Sequence, residues 1–258
     1  YSVDMGIAEG PKKRRIVDAA LPEVVLVPTG DKAASQRVSR LRADGKLRML
    51  YRGVYSSNLP ANDADVVRRN WSDILGYLAP GVVVSHRSAF DFAPHDGELF
   101  ISRERGRRDY TLPGLTIRAT VKPGHGPLLD TEDPSARDTS YGGFFIASQP
   151  RAYLECLAAD ARVATRSLPI EDIETKLERL LSLRGERGLN SLRDAAHEVA
   201  VRLDMMTEYG RLNKAIGALL GSRPANVLSS ALAVARAQGV PYDPERLSLF
   251  ERVVAQLR

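Results

Sequence analysis

Residues 31–55, DKAASQRVSRLRADGKLRMLYRGVY, decide the expected fold of this chain. Ala34, Val38 and Leu41 are spaced by four and three residues, which predicts a helix with one buried face. The tripeptide ADG at residues 43–45 predicts the end of that helix, because glycine adopts the left-handed conformation of a helix C-terminus at low steric cost. A short basic helix is therefore expected from residue 34 to residue 43.

A hairpin is expected directly after this helix. Residues 46–51, KLRMLY, alternate polar and apolar side chains with the period of a half-buried strand. Arg52-Gly53 predicts a tight turn, and Val54 and Tyr55 return as a second strand. A basic helix followed by a hairpin is the outline of a winged helix-turn-helix that binds DNA, so the sequence favours that fold for residues 11–58.

The charge distribution supports a polyanionic partner for this part of the chain. Residues 11–52 hold eleven Lys and Arg against four acidic residues, a net charge of +7, whereas residues 53–258 hold 26 of each sign. A basic segment beside a neutral remainder is the electrostatic pattern of a nucleic-acid-binding protein. The alternative is an ordinary solvated helix face, which is what most charge runs are.

The predicted helix and hairpin supply two sets of candidate DNA contacts. Gln36, Arg37 and Arg40 are the base-contacting candidates, because Gln pairs bidentately with adenine and Arg with guanine. The phosphate-contacting candidates share a hydroxyl or a positive charge near the helix or hairpin: Ser35, Ser39, Arg42, Lys46, Arg48, Tyr51 and Arg52. Arg103, Arg105, Arg107 and Arg108 form a second cationic cluster, for which the favoured interpretation is a soluble edge strand rather than a DNA contact.

Composition bounds the remaining possibilities. The chain has 258 residues, 43% apolar and 27% charged, as expected of a globular protein, and no apolar run approaches the ~18 residues that span a bilayer. We expect a cytoplasmic protein that does not contact membranes. The single cysteine, Cys156, lies among apolar residues and is expected to be a small buried side chain rather than a nucleophile.

The overall fold class expected is α+β in three domains: a winged helix over 11–58, a central α+β domain over 63–165 and a helical bundle over 168–258. Strands are expected at 24–27, 82–84, 98–103, 109–112 and 115–121, and one helix is expected over 65–78. From residue 168 onward five separate amphipathic helices are predicted, with ends near Gly221 and Gly239.

No catalytic or metal-binding pattern emerges, so we expect neither an enzyme nor a cofactor. The four histidines, His86, His95, His125 and His197, are scattered and are expected to be capping or surface residues. Asp91, Asp96, Glu98 and Arg103 could imitate part of a metal nuclease site, but the lysine that such a site needs on the strand is missing. Glu171, Asp172, Glu174 and Glu178 are expected on a solvated helix face.

Several motifs together resemble the AbiEi-type antitoxins of toxin-antitoxin systems. The similarity covers roughly residues 11–165 and includes RADGKLRML (42–50), RGVY (52–55), VVVSHRSAF (82–90) and SQPRAYLE (148–155). The resemblance implies a winged-helix domain that binds promoter DNA and represses its own operon, a following domain that counters a cognate toxin, and a possible homodimer. This chain departs from the pattern in the compact first half of its winged helix.

The C-terminal segments resemble a different group of proteins. LNKAIGALLGSR (212–223) and ARAQGVPYDPERLSLFERVVAQL (235–257) are similar to the region that precedes the catalytic core in certain large Fic-family proteins with an antitoxin-like N-terminus. Neither the His-Pro-Phe loop nor the Gly-Asn-Gly-Arg motif of a Fic core occurs here. The alternative function is therefore a non-catalytic interaction module, which would bind a toxin or a Fic core through faces around 212–220 or 247–257.

Overall fold

The computed structural model describes residues 21–106, 109–158 and 165–237, with the side chains of 222–237 excepted. The chain is of mixed α+β class and divides into two compact units, Tyr1–Val66 (the N-terminal unit) and Val67–Arg258 (the C-terminal unit). The basic leader at residues 12–15 and the last predicted helix at 247–257 lie outside the described residues. Among the helices of the described ranges, none combines the length and the apolar character needed to cross a membrane.

The N-terminal unit is a small sheet with one helix packed on it. Strand β1 (Val24–Leu26), helix α1 (Lys32–Ala43) and the hairpin strands β2 (Arg48–Tyr51) and β3 (Val54–Ser56) follow one another along the chain. The three strands are antiparallel and lie in the order β1-β3-β2. The predicted helix and hairpin are confirmed as elements.

Helix α1 is held on the sheet by a small apolar core. Val38, Val27 and Leu47 are buried together, and Ala34 and Leu41 pack against them. The three helical residues are the ones whose spacing predicted a buried face, so that prediction is confirmed.

The helix expected over 65–78 is two helices, α2 (Asp63–Arg69) and α3 (Trp71–Leu78). Asn70 separates them with φ −111° and ψ 19°, outside the helical conformation. Asparagine forms local hydrogen bonds that compete with the helical backbone, so it ends helices readily. The apolar spacing continues across the break, which is why periodicity alone did not reveal it.

The C-terminal unit is built on a mixed sheet of six strands. Its elements are β4 (Val83–Val84), α4 (His86–Asp91), β5 (Glu98–Arg103), β6 (Tyr110–Leu112), β7 (Leu115–Val121), β8 (Thr139–Tyr141), β9 (Phe144–Ile146), α5 (Gln149–Leu157), α6 (Ile170–Leu203) and α7 (Met206–Ala237). The strand order is β6-β7-β5-β4-β9-β8, in which β5 pairs with β7 and β4 with β9 in parallel. The hairpins β6–β7 and β8–β9 form the two sides of the sheet.

The long helices α6 and α7 share one hydrophobic core with α5. Tyr153 and Leu154 of α5 lie in the same buried cluster as Leu177 of α6 and Leu212 and Ile216 of α7. The domain boundary predicted between 165 and 168 therefore lies inside one compact unit. Leu212 and Ile216 are fully buried, so these two residues of the partner-binding face expected around 212–220 pack inside the unit.

Between residues 168 and 237 the structure has two long helices, α6 and α7, where four shorter ones were predicted. Helix α6 contains a kink at Gly185, and α7 runs through Gly221, where an end was expected. Glycine inside a helix costs only about 1 kcal/mol, which tertiary packing easily outweighs. Leu219 and Leu220 pack against the core beside Gly221.

Candidate nucleic-acid interface and a buried charge network

Both ends of α1 are fixed by local hydrogen bonds. At the start, Asp31 Oδ1 accepts from the Ala34 N–H at 2.9 Å, and Ser35 Oγ donates to the Asp31 carbonyl at 2.8 Å. At the end, Gly45 adopts φ +67°, and the Lys46 N–H donates to the Leu41 carbonyl at 2.8 Å. A helix closed in this way presents its outer side chains from a firm backbone.

The outer face of α1 carries the three base-contacting candidates. Gln36, Arg37 and Arg40 are exposed on the side away from the buried Val38. Their side chains form no hydrogen bond or ion pair with another described residue, and the helix itself contains no acidic residue. Because residues three and four positions apart are neighbours on a helix surface, these three side chains form one continuous patch.

The hairpin places two further cations at its ends. Lys46 precedes β2, Arg52 lies in the turn, and both are exposed. Gly53 has φ +82° in this turn, a conformation that glycine adopts without the strain of a Cβ. The pairing register shifts between Met49 and Tyr51, so the short hairpin contains an irregularity close to its tip.

A shallow groove runs along the side of α1 toward the hairpin. Ser39 and Arg42 of the helix line it together with Met49 of β2 and Leu59. Met49 is 52% exposed and Leu59 38% exposed, so the groove has an apolar part that is open to solvent. Arg42 also lies over the Tyr55 ring, 5.7 Å from its centroid, so a cation–π contact orients this guanidinium.

Arg48 has a different role from the phosphate contact predicted for it. Its Nη1 donates to the Leu59 carbonyl at 3.1 Å, its Nη2 donates to the Ala61 carbonyl at 2.8 Å, and Nη2 lies 2.5 Å from Asp63 Oδ1. The guanidinium fork thus ties the segment after the hairpin to the β2 edge of the sheet. A phosphate contact would require these interactions to break, so Arg48 fixes the position of the segment after the hairpin.

Two other phosphate candidates also have contacts of their own. The Ser35 hydroxyl already donates to the Asp31 carbonyl, which leaves only its lone pairs for a further partner. Tyr51 is half-buried in β2. Ser39, Arg42, Lys46 and Arg52 remain exposed, so they are the phosphate candidates that the structure leaves accessible.

The C-terminal unit contains a buried charge network that the sequence did not reveal. Arg151 of α5 is fully buried. Its Nη1 donates to Asp138 Oδ2 at 2.6 Å and to the Gly126 carbonyl at 2.8 Å, its Nε donates to Glu155 Oε1 at 2.9 Å, and its Nη2 donates to the His125 carbonyl at 3.1 Å. Each guanidinium nitrogen therefore has an acceptor, as a buried cation requires.

The two carboxylates of this network respond differently to burial. For Glu155, burial raises the pKa, but Arg151 and hydrogen-bond donors outweigh it and hold the pKa below its ordinary value. For Asp138, burial raises the pKa more than Arg151 and the N–H groups of Leu128 and Ser148 lower it. Glu155 is thus the carboxylate whose negative charge the fold stabilises most.

Two histidines predicted at caps or on the surface are buried. His86 donates its backbone N–H to Glu155 Oε2 at 3.1 Å, its Nε2 accepts from Arg166 Nε at 2.8 Å, and its Nδ1 lies 2.8 Å from Ser85 Oγ. Because Nε2 accepts, Nδ1 carries the proton and donates to Ser85. His125 Nε2 contacts the Leu203 carbonyl at 3.0 Å, and burial lowers its pKa. Tertiary contacts from distant segments cover both rings, and such contacts leave no trace in local sequence.

The acidic residues that could imitate part of a nuclease site do not converge. Asp91 pairs with Arg87, Asp96 with His95 and Glu98 with Arg118. Within the described ranges no three His, Cys, Asp or Glu side chains come together as a metal-binding group. Cys156 is buried as predicted, and burial raises the pKa of its thiol to about 12.

Comparison with known proteins found no counterpart: no protein-family model, no curated protein and no solved structure matches this chain.

Proposed function

We propose that this chain is a DNA-binding, antitoxin-like transcriptional regulator whose N-terminal unit is a winged helix. Helix α1 enters the major groove, and the β2–β3 hairpin rests on the sugar-phosphate backbone. The observation that carries the proposal is the exposed patch of Gln36, Arg37 and Arg40 on a helix fixed at both ends. Base edges are recognised by bidentate Gln and Arg contacts of this kind.

The arrangement of the N-terminal unit supports this use of α1. A helix that lies directly before an antiparallel hairpin, on a sheet of order β1-β3-β2, is compatible with winged-helix topology. The apolar side chains Ala34, Val38 and Leu41 fasten one side of the helix to the sheet, which leaves the opposite side free for a groove. A rigid element presents contacting side chains with less loss of entropy on binding than a loop would.

The charges and the groove beside α1 support contact with the sugar-phosphate backbone of DNA. Arg52 at the hairpin tip and Lys46 at its base lie on either side of β2 and are exposed to approach by phosphates. The exposed Met49 and Leu59 line the groove next to Ser39 and Arg42. In the proposed complex they pack on deoxyribose or on a thymine methyl group. Phosphates supply most of the affinity, and base edges supply the sequence preference.

The decisive experiment is binding of the full chain to a labelled fragment of its own promoter, over about 50–300 mM salt, with unrelated duplex DNA as competitor. We expect tight binding that survives the competitor. Arg40→Ala and Gln36→Ala should each relax the preference at a single base position by about 1–3 kcal/mol. Arg179→Ala removes an equally exposed arginine from α6 and should leave binding unchanged, which makes it the charge-matched control.

Two results would contradict the proposal. Equal and steeply salt-dependent binding to both DNAs would reduce the basic segment to a generic cationic surface. Unchanged affinity and preference in Arg37→Ala and Arg40→Ala would remove α1 from the interface.

As an antitoxin-like protein, the chain would also bind a cognate toxin. Because Leu212 and Ile216 are buried, the described candidates for that surface are exposed apolar residues of α6, Leu183 at 72% and Val201 at 60% exposure. Co-purification of the toxin with the wild-type chain but not with Leu183→Asp or Val201→Asp would support this part of the proposal. A toxin complex without specific DNA binding would favour the alternative, an interaction module of toxin-antitoxin or Fic-associated type.

A further inference from the structure

A cavity of about 280 Å³ lies in the C-terminal unit beside the kink of α6. Arg184 and Arg187 of α6 line it, and Gln149 and Pro150 at the start of α5 form part of the facing wall. It belongs to neither the DNA-binding surface proposed above nor the buried network around Arg151. Neither of those features therefore gives this cavity a role.

The kink places one arginine on each side of an abrupt change in backbone direction. Gly185 has φ 65° and ψ −170°, a conformation that is essentially restricted to glycine. Arg184 precedes it and Arg187 follows it, and neither guanidinium pairs with an acidic side chain of a described residue. Glu186 lies between them in the sequence and does not line the cavity, whereas both arginines do. Two cations that line one cavity repel each other, and a bound anion would relieve that repulsion.

The first two residues of α5, Gln149 and Pro150, form the wall of the cavity opposite the arginines. Ser148, the N-cap residue directly before them, has a buried hydroxyl that makes no capping bond. Ser148 does not line the cavity, and its backbone N–H donates to Asp138 Oδ1 at 2.9 Å. The N-terminal end of α5 therefore lies against the cavity, where the helix dipole favours a negative charge.

We propose that this cavity binds the phosphate group of a small phosphomonoester. Arg184 and Arg187 supply charge-assisted hydrogen bonds to the phosphate oxygens, and the positive end of the α5 helix dipole faces the same charge. Pro150, Leu180 and Leu192 form an apolar part of the lining against which a compact organic group can pack. The hydroxyl of Ser135, also in the lining, already donates to Asp133 Oδ1, so it does not serve as a further donor.

Calorimetric titration of the full chain with inorganic phosphate and with phenyl phosphate, at constant ionic strength, tests this site. We expect saturable binding of at least one probe, weakened about tenfold in each of Arg184→Gln and Arg187→Gln, which corresponds to the loss of one charge-assisted hydrogen bond. Arg179→Gln changes an exposed arginine of the same helix outside the cavity and should bind like the wild type. Arg187→Lys, which keeps the charge, should retain part of the affinity.

The two probes distinguish the source of the phosphate. Tighter binding of phenyl phosphate would support a phosphorylated organic ligand, and equal binding would support free phosphate at the same site. No binding of either probe up to about 10 mM, an affinity too weak to be physiological, would overturn the proposal. Undiminished phosphate binding in both Arg184→Gln and Arg187→Gln would also overturn it. So would variants that bind duplex DNA less tightly but bind both phosphate probes like the wild type, because the two arginines would then belong to a nucleic-acid surface.

Discussion

Arg40 of α1 and Arg151 of α5 are the same residue type placed in opposite environments. The Arg40 side chain is exposed and forms no hydrogen bond or ion pair with a described residue, whereas Arg151 is fully buried and donates to two carboxylates and two carbonyl groups. A solvated, unpaired arginine costs the fold little and keeps all five of its donors for another molecule. A buried arginine has no such freedom, because each unsatisfied donor would destabilise the folded state.

The contrast extends to the two units as a whole. In the N-terminal unit, positive charge collects on a surface, and the fold rests on a few apolar contacts around Val38. In the C-terminal unit, charge of both signs is buried where α5 meets segments from far along the chain. We therefore expect the exposed charges to contribute to DNA binding and the buried charges to contribute to the stability of the fold. Substitutions can test each expectation separately.

The largest effect is expected from Arg151→Met. It leaves Asp138 and Glu155 buried without their cation, and such a loss typically lowers the free energy of unfolding by about 3–5 kcal/mol. Trp71 is the single tryptophan and lies in the C-terminal unit, so its fluorescence in urea titrations reports on this unit. Arg179→Met, on the exposed face of α6, is the control and should change stability by no more than about 0.5 kcal/mol. If Arg151→Met lowers the free energy of unfolding by less than about 1 kcal/mol, then the network contributes little to stability and this prediction is wrong.

A smaller effect, which depends on pH, is expected from Glu155→Gln. The pKa of Glu155 is lowered in the folded protein, so its stabilising contribution is complete above the ordinary value of 4.5 and is lost as pH falls through the folded pKa. At neutral pH we expect Glu155→Gln to lower the free energy of unfolding by about 1.5–3 kcal/mol, the usual contribution of a hydrogen bond to a charged group. The difference from wild type should shrink in urea titrations below about pH 4.5.

Asp138→Asn is expected to change the pH dependence of stability in the direction opposite to Glu155→Gln. The pKa of Asp138 is raised in the folded protein, so its ionisation weakens the folded state as pH rises through that pKa. If the free energy of unfolding changes with pH in the same way in Glu155→Gln and Asp138→Asn, then the opposite pKa shifts of the two carboxylates are contradicted.

Much of the fold follows from local sequence, and this explains which predictions are confirmed. Helix α1 and the β2–β3 hairpin are defined by apolar spacing, by the cap at Asp31 and by glycines in the turns, all within 25 residues. The exposed face of α1 follows from the same periodicity, because positions opposite Val38 must face outward. The candidate DNA contacts on this helix could therefore be named from sequence alone.

Contacts between distant segments could not be predicted in this way. Arg151 and Glu155 are spaced like an ordinary surface ion pair on a helix, and only the approach of Gly126 and Asp138 buries them. His86 is buried by residues that lie 69 and 80 positions later in the chain. The kink at Gly185 likewise looks from sequence like any glycine in a helix.

The smallest effects are expected from a pair of arginines in the hairpin, and they distinguish a structural cation from a binding one. Arg48→Met removes the tie to the carbonyls of Leu59 and Ala61, which remain partly accessible to water, so we expect a loss of only about 1 kcal/mol. Faster amide hydrogen exchange in residues 57–62 would report it. Arg52→Met touches no such contact and should leave exchange unchanged, but it should flatten the slope of log K for DNA against log salt by about 0.9, the contribution of one phosphate contact. If Arg48→Met flattens that slope equally and leaves hydrogen exchange unaltered, then Arg48 releases its contacts to bind phosphate. In that case the N-terminal unit would not divide its arginines into structural ones and DNA-binding ones.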